Sequence, residues 1–265
     1  MLRISPCIEM VFSELDFYDR FRASKDAGAG YCEFWGWGNK DLGRVKEESQ
    51  KNGIQIAAIC VDTKTPAVAE VYNRKKLLYR EPEAQDAFVA AVKESLVVAN
   101  ALSVPTLIVT VGDERKDIPH VEQHTNVVLA LKKVVPLLED DGIQMVLEPL
   151  NVLANHMGYM LPSGYEAFGI VEEVGSPAVK VLYDIYHQQI TEGNLIPTIR
   201  KYIHQIGHFH VADVPGRHEP GTGEINYRNV FSAIEELGYQ KAVGLEYTPT
   251  KDSAETVREV IGLLQ

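Results

Sequence analysis

The chain has 265 residues, 45% of them hydrophobic, with a formal net charge of −11. That length is within range for one α/β barrel, and the apolar fraction is enough for a sizeable core. The acidic balance argues against a nucleic-acid backbone or an anionic membrane as partner, and three cysteines (Cys7, Cys32 and Cys60) with no CxxC fit a reducing compartment better than a disulfide scaffold.

The opening "MLRISPCIEMVFSELDF" turns acidic soon after Arg3 and does not read as a signal peptide. No apolar run approaches the roughly 18 residues that span a bilayer, so a cytoplasmic protein without a membrane partner is expected. Strands are predicted at 3–7, 31–35, 54–61, 106–111, 143–149, 179–185, 206–213 and 242–248. Most are continuous apolar runs, the pattern of parallel strands buried on both faces. Helical periodicity fills 41–53, which ends in an Asn-Gly stop, then 83–102, 121–142, 227–239 and 253–264. The charged stretch 74–85, "RKKLLYREPEAQ", reads as an exposed helix start.

Eight strand–helix units in about 250 residues predict a (β/α)8 TIM barrel, eight parallel strands ringed by helices. A doubly wound open sheet usually carries a Gly-rich turn after its first strand; here that turn is "CIEMVFSEL". No linker or low-complexity segment divides the chain, so 1–265 is expected to be one domain.

Active sites of such barrels sit at the C-terminal strand ends. Strand 5 ends in Glu148, strand 6 in Asp184, strand 7 in His210 and strand 8 in Glu246. A lone strand-end acid is more often a helix cap or ion-pair partner, and a lone His a hydrogen-bonded core residue. Four on consecutive strands converge on one side of the mouth, where buried carboxylates repel unless a cation offsets them. This oxygen-rich set with one imidazole suits Mn²⁺, Mg²⁺ or Co²⁺. His208 lies two residues deeper on the same strand face, as a core or supporting residue. Trp35 and Trp37 close strand 2, either packing under a loop or walling a small substrate, and Glu33 could add a polar contact there.

The stretches "EFWGWGNKDL" (33–42), "LIVTVGDE" (107–114), "VLEPLN" (146–151), "YDIYHQQITEGNL" (183–195), "ADVPGRHEPGTGEINY" (212–227) and "GLEY" (244–247) resemble the xylose-isomerase-like TIM barrels, in particular the group of hydroxypyruvate isomerases and ketose 3-epimerases. The resemblance covers essentially the whole chain. It implies that Glu148 and Glu246 are catalytic carboxylates that also hold the metal, with Asp184 and His210 as further ligands. His187 and Arg217 match substrate-binding residues, and Asp213 is expected to support them. The chain departs from many hydroxypyruvate isomerases by carrying His210 in place of a glutamine, which is nearer the epimerases. The family often forms dimers or tetramers, and the sequence carries no distinct interface signature.

The implied chemistry moves a proton between carbons of a small α-hydroxy carbonyl compound. A metal would polarise the carbonyl and stabilise a cis-enediolate, while two carboxylates take and return the proton. Arg217 could clamp a substrate carboxylate or hydroxyl, bidentately if a carboxylate. Conversion of hydroxypyruvate or a related keto-acid leads. Free-ketose 3-epimerisation is the alternative on the same site, and a metal-dependent lyase or decarboxylase the third. A metal-dependent phosphodiesterase would want more histidine ligands and a basic face.

Overall fold

All eight expected strands form, and all pair in parallel. The computed structural model describes residues 2–264. In chain order it runs β1 (Arg3–Pro6), α1 (Asp19–Asp26), β2 (Tyr31–Phe34), α2 (Leu42–Asn52), β3 (Gln55–Cys60), α3 (Pro66–Lys75), α4 (Pro82–Leu102), β4 (Thr106–Val109), α5 (His120–Asp141), β5 (Gln144–Leu147), α6 (Gly164–Val174), β6 (Val179–Asp184), α7 (Ile185–Thr191), α8 (Leu195–Tyr202), β7 (Ile206–Val211), α9 (Tyr227–Glu236), β8 (Ala242–Leu245) and α10 (Ser253–Gly262).

The sheet order is β1-β8-β7-β6-β5-β4-β3-β2. The two ends meet through a parallel bridge between Cys7 and Glu33, where the Ile8 N–H donates to the Glu33 carbonyl at 2.8 Å. A twisted parallel sheet thus curls into a barrel, with the helices covering its outer, apolar face. Among the described residues no helix is long and apolar enough to cross a membrane.

Each strand stops one to three residues short of its apolar run at the C-terminal side. Ladder pairing ends where the chain leaves the barrel wall, whereas the hydrophobic pattern continues into buried loops such as Val111, Leu150 and Tyr247. The expected Asn-Gly stop holds: Gly53 closes α2 with φ of 59°. At the other end, the Asp41 side chain accepts from the N–H groups of Gly43 and Arg44, a cap worth about 1 kcal/mol.

The segment 74–85 differs from expectation. It holds a helix start only at its end: α3 ends at Lys75, α4 begins at Pro82, and Leu77 and Leu78 between them are buried rather than exposed. Pro82 fixes the start of α4, and the two leucines anchor the connection to the core.

The lumen is divided. Ala58, Ile108, Val146 and Leu182, from β3 to β6, form a small apolar cluster. Across from it, β1, β2 and β7 contribute Ser5, Glu33, His208 and His210, all buried. Gly244 on β8 makes the polar half possible. A Cβ there would lie 2.3 Å from Glu33 Oε1 and 2.5 Å from the His210 ring.

Candidate metal centre

Glu148 is the first residue beyond β5 and Glu246 the first beyond β8; Asp184 ends β6 and His210 lies one residue before the end of β7. Backbone pairing continues through both glutamates, whose N–H groups donate to Val109 O and Val211 O, each at 3.1 Å. Register sets Asp184 beside His210, and His210 beside Gly244. One ligand atom from each of Glu148, Asp184, His210 and Glu246 lies within 4.8 Å of all the others, and all four residues are buried. Asp184 also caps α7 by accepting from the His187 N–H at 3.2 Å. Its two oxygens let it act as a cap and still face the cluster.

His210 shows how the cluster is built. Its Nε2 lies 2.6 Å from Glu33 Oε1, while His208 Nε2 and Ser5 Oγ approach Glu33 Oε2 at 3.0 and 2.9 Å. Burial alone would raise the Glu33 pKa, but the two histidines outweigh it and hold it down at about 2. An ionised carboxylate only accepts, so both Nε2 atoms carry protons and donate. The lone pair of a neutral His210 is therefore on Nδ1. Among the described residues that atom is buried without a hydrogen-bond partner, and lies 3.5 Å from Glu148 Oε1 and 3.4 Å from Glu246 Oε2. A lone pair aimed among three buried carboxylates fits a divalent cation. The Glu33 contact is the carboxylate–histidine pairing that orients such ligands. Without a cation a proton takes its place. Burial disfavours charge on His210, yet Glu246, Glu33 and Glu148 together raise its pKa well above the ordinary value.

Glu246 is fixed on both oxygens. The Trp35 indole N–H donates to Oε1 at 2.8 Å, and the Arg217 guanidinium binds Oε2 closely. Burial opposes its charge, but His210 and Arg217 hold it well below the usual carboxylate range. Arg217 also lies 3.9 Å from Asp184 Oδ2 and adopts φ of 58°. Asp213 organises the loop that presents it. Its carboxylate accepts from the N–H groups of Val214, Gly221 and Ile225, and its carbonyl accepts from the Arg217 N–H. Glu219 anchors the same loop to Thr250, and Glu224 receives a hydrogen bond from Gln189.

His187 is fully buried. Its Nδ1 accepts from the Asn151 backbone N–H at 3.1 Å and lies 2.7 Å from the Asn151 side-chain nitrogen. Nε2 therefore carries the proton; among the described residues it has no hydrogen-bond partner, and it sits 3.6 Å from Asp184 Oδ2. Burial, with Arg217, lowers its pKa to about 3 against the pull of Glu148 and Glu246. It is a neutral donor beside the cluster.

Some expectations change. Glu33, expected as a polar contact for substrate, lies beneath His210 with both oxygens occupied by His210, His208 and Ser5. His208 is its second support. Trp37 is 2% exposed and donates toward Ser95, whereas Trp35 is 41% exposed at the mouth. Sequence reasoning missed Asn151 and Ser5. The only signal for Asn151 was its place three residues beyond Glu148, in the strand-end loop.

The family model described as xylose isomerase-like TIM barrel matches residues 21–265. Hydroxypyruvate isomerase of Escherichia coli is 32% identical over 249 residues, 94% of each chain. The 2-oxo-tetronate isomerase of Pectobacterium atrosepticum is 28% identical over 253 residues, 94% of this chain and 93% of that one. Among solved structures, a Brucella melitensis protein named AP endonuclease, family 2, superposes with a TM-score of 0.90 at 29% identity, covering 99% of both chains. The parallel barrel, its strand-end cluster and these matches agree: the chain belongs to the xylose isomerase-like TIM barrel family.

Proposed function

We propose that this protein is a divalent-metal-dependent isomerase of a small 2-oxo acid, converting hydroxypyruvate to tartronate semialdehyde or acting on a close relative. The observation that carries the reading is the unpartnered His210 Nδ1 among Glu148, Asp184 and Glu246. A cation held by these four side chains, of the Mn²⁺, Mg²⁺ or Co²⁺ class, supplies Lewis acidity at the substrate carbonyl. The isomerases of hydroxypyruvate and 2-oxo-tetronate among its relatives support the substrate class.

The chain's own residues divide the proton work. Glu246, kept ionised by Arg217 and the Trp35 N–H, takes the proton from the hydroxyl-bearing carbon. Glu148 relays a proton from water to the neighbouring carbon, a proton passes between the two substrate oxygens, and Glu246 gives its proton up to water. Exchange with water resets the pair. His187, neutral and protonated on Nε2, donates a hydrogen bond to a substrate oxygen. Trp35 covers the mouth and holds Glu246 in place.

The test is C–H exchange. Protein loaded with Mn²⁺ is given hydroxypyruvate in D₂O, and product and deuterium are followed by mass spectrometry. Conversion with deuterium incorporation is expected. Neither conversion nor exchange, with the metal bound, overturns the reading. The second reading, 3-epimerisation of a free ketose, rests on the histidine at 210. Exchange with D-tagatose but not hydroxypyruvate would select it. Phosphodiester hydrolysis is disfavoured by the net charge of −11 and by a ligand set with a single imidazole.

A further inference from the structure

Lys76 follows α3 in a backbone conformation that a residue with a Cβ seldom adopts, φ 48° and ψ −135°. Its neighbours enforce it. The Lys76 N–H donates to Tyr72 O at 2.8 Å, and the Leu77 N–H donates to Val111 O at 3.2 Å, tying the turn to the chain just beyond β4. The side-chain stem lies over Gly112, where an added Cβ would come within 3.0 Å of Lys76 Cβ. The ammonium sits 4.3 Å from the centre of the Tyr72 ring. Among the described residues it has no hydrogen bond or ion pair with a protein oxygen. At the same rim Lys75 pairs with Glu83 at 3.1 Å and Arg115 with Asp117 at 2.6 Å, while Arg74 is exposed.

This half-buried cation lines a basin of about 620 Å³ together with Thr110, Gly112, Leu150, His156 and Tyr159. The basin adjoins the metal centre. Tyr159 Oη donates to the Glu148 carbonyl at 2.8 Å, and the His156 and His187 rings are 5.4 Å apart. Burial lowers the Lys76 pKa, with Cys60 and Asp62 opposing; a carboxylate arriving beside it would relieve that burial penalty.

Charge gives the basin a purpose. Glu148, Asp184 and Glu246 would be offset in charge by a divalent ion and Arg217, so an incoming carboxylate meets no net positive charge there; Arg217 binds Glu246 through Nη2, and its buried Nε is unpartnered among the described residues. We propose that Lys76 is the counter-charge for the substrate carboxylate, and that it makes this site select a 2-oxo acid over an uncharged ketose. This rests on the isomerase reading above for its substrate class, but its binding test does not need turnover.

The variant K76M keeps the stem that packs on Gly112 and Tyr72 and removes the charge. Calorimetry on the Mn²⁺-loaded protein with D-glycerate, a non-reacting hydroxy acid, is expected to show binding weakened at least about tenfold in K76M, with the Mn²⁺ affinity unchanged. With hydroxypyruvate as substrate, KM rises by at least about tenfold while kcat moves less than about threefold. The loss of kcat/KM for the acid exceeds that for D-tagatose. D-glycerate bound as tightly by K76M as by the parent overturns the proposal. Should K76M not fold, K76Q is read the same way. A parent protein that fails to convert hydroxypyruvate, yet loses glycerate binding on K76M, removes the isomerase reading and leaves the carboxylate site standing.

Discussion

The Nε2 of His210 donates to Glu33 Oε1 at 2.6 Å. That contact turns the imidazole so that Nδ1 points at Glu148 and Glu246. Replacing Glu33 by Gln removes the charge that fixes the ring and leaves His208 without its acceptor charge. Loss of such a supporting carboxylate typically costs about 10–100-fold in metal affinity. E33Q is therefore expected to bind Mn²⁺ that much more weakly, measured by calorimetry. An unchanged affinity would show that the ring is held by packing alone.

Proton and metal compete for Nδ1. The His210 pKa in the metal-free protein is raised by Glu246, Glu33 and Glu148 despite burial, so the group is protonated at neutral pH. Metal binding must then release about one proton, and apparent affinity should rise about tenfold per pH unit below the raised pKa. Calorimetry in two buffers of different ionisation enthalpy reads the proton directly. Stability follows the same sign. A group whose folded pKa is raised stabilises the metal-free fold fully below its ordinary value of about 6.5, and that stability is lost as pH rises through the raised pKa. Thermal unfolding of metal-free protein should fall across that alkaline window, and Mn²⁺ should flatten the fall.

The barrel and the four-residue cluster were legible because buried parallel strands read as apolar runs, and Glu148, Asp184, His210 and Glu246 interrupt or end those runs in one register. The role of Glu33 was not, because its histidine partners lie 175 and 177 residues away and meet it only when the barrel closes. Trp35 and Trp37 looked equivalent in sequence. They separate only because the chain turns at Gly36 and Gly38, which pack against Asp62, sending one ring to the mouth and the other to the core. Lys76 was hidden in a charged run whose helical pattern concealed its left-handed backbone.

Trp35 makes a prediction of its own. Its indole N–H is one of two donors that hold Glu246. A hydrogen bond to a charged group is worth about 1.5–3 kcal/mol, so W35F should lower kcat/KM by about 10–100-fold. The ring's apolar cover remains in W35F, so W35A should lose more. An effect equal in the two variants would place the contribution in the indole N–H alone.

Glu148 and Glu246 differ in their surroundings, and that difference should separate their roles. Glu246 is held ionised by Arg217 and the Trp35 N–H, which suits it to abstraction. At saturating Mn²⁺, E246Q is expected to lose about 10³-fold in kcat and to lose deuterium exchange at the substrate carbon equally. E148Q is expected to lose conversion by a similar factor while still exchanging the abstracted proton, because Glu246 can remove it and return deuterium to the same carbon. Mass spectrometry of unreacted hydroxypyruvate in D₂O distinguishes them: deuterium accumulates with E148Q and not with E246Q. The reverse pattern would exchange the two assignments. Exchange lost equally in both would mean that the carboxylates matter here as metal ligands rather than as a base and an acid.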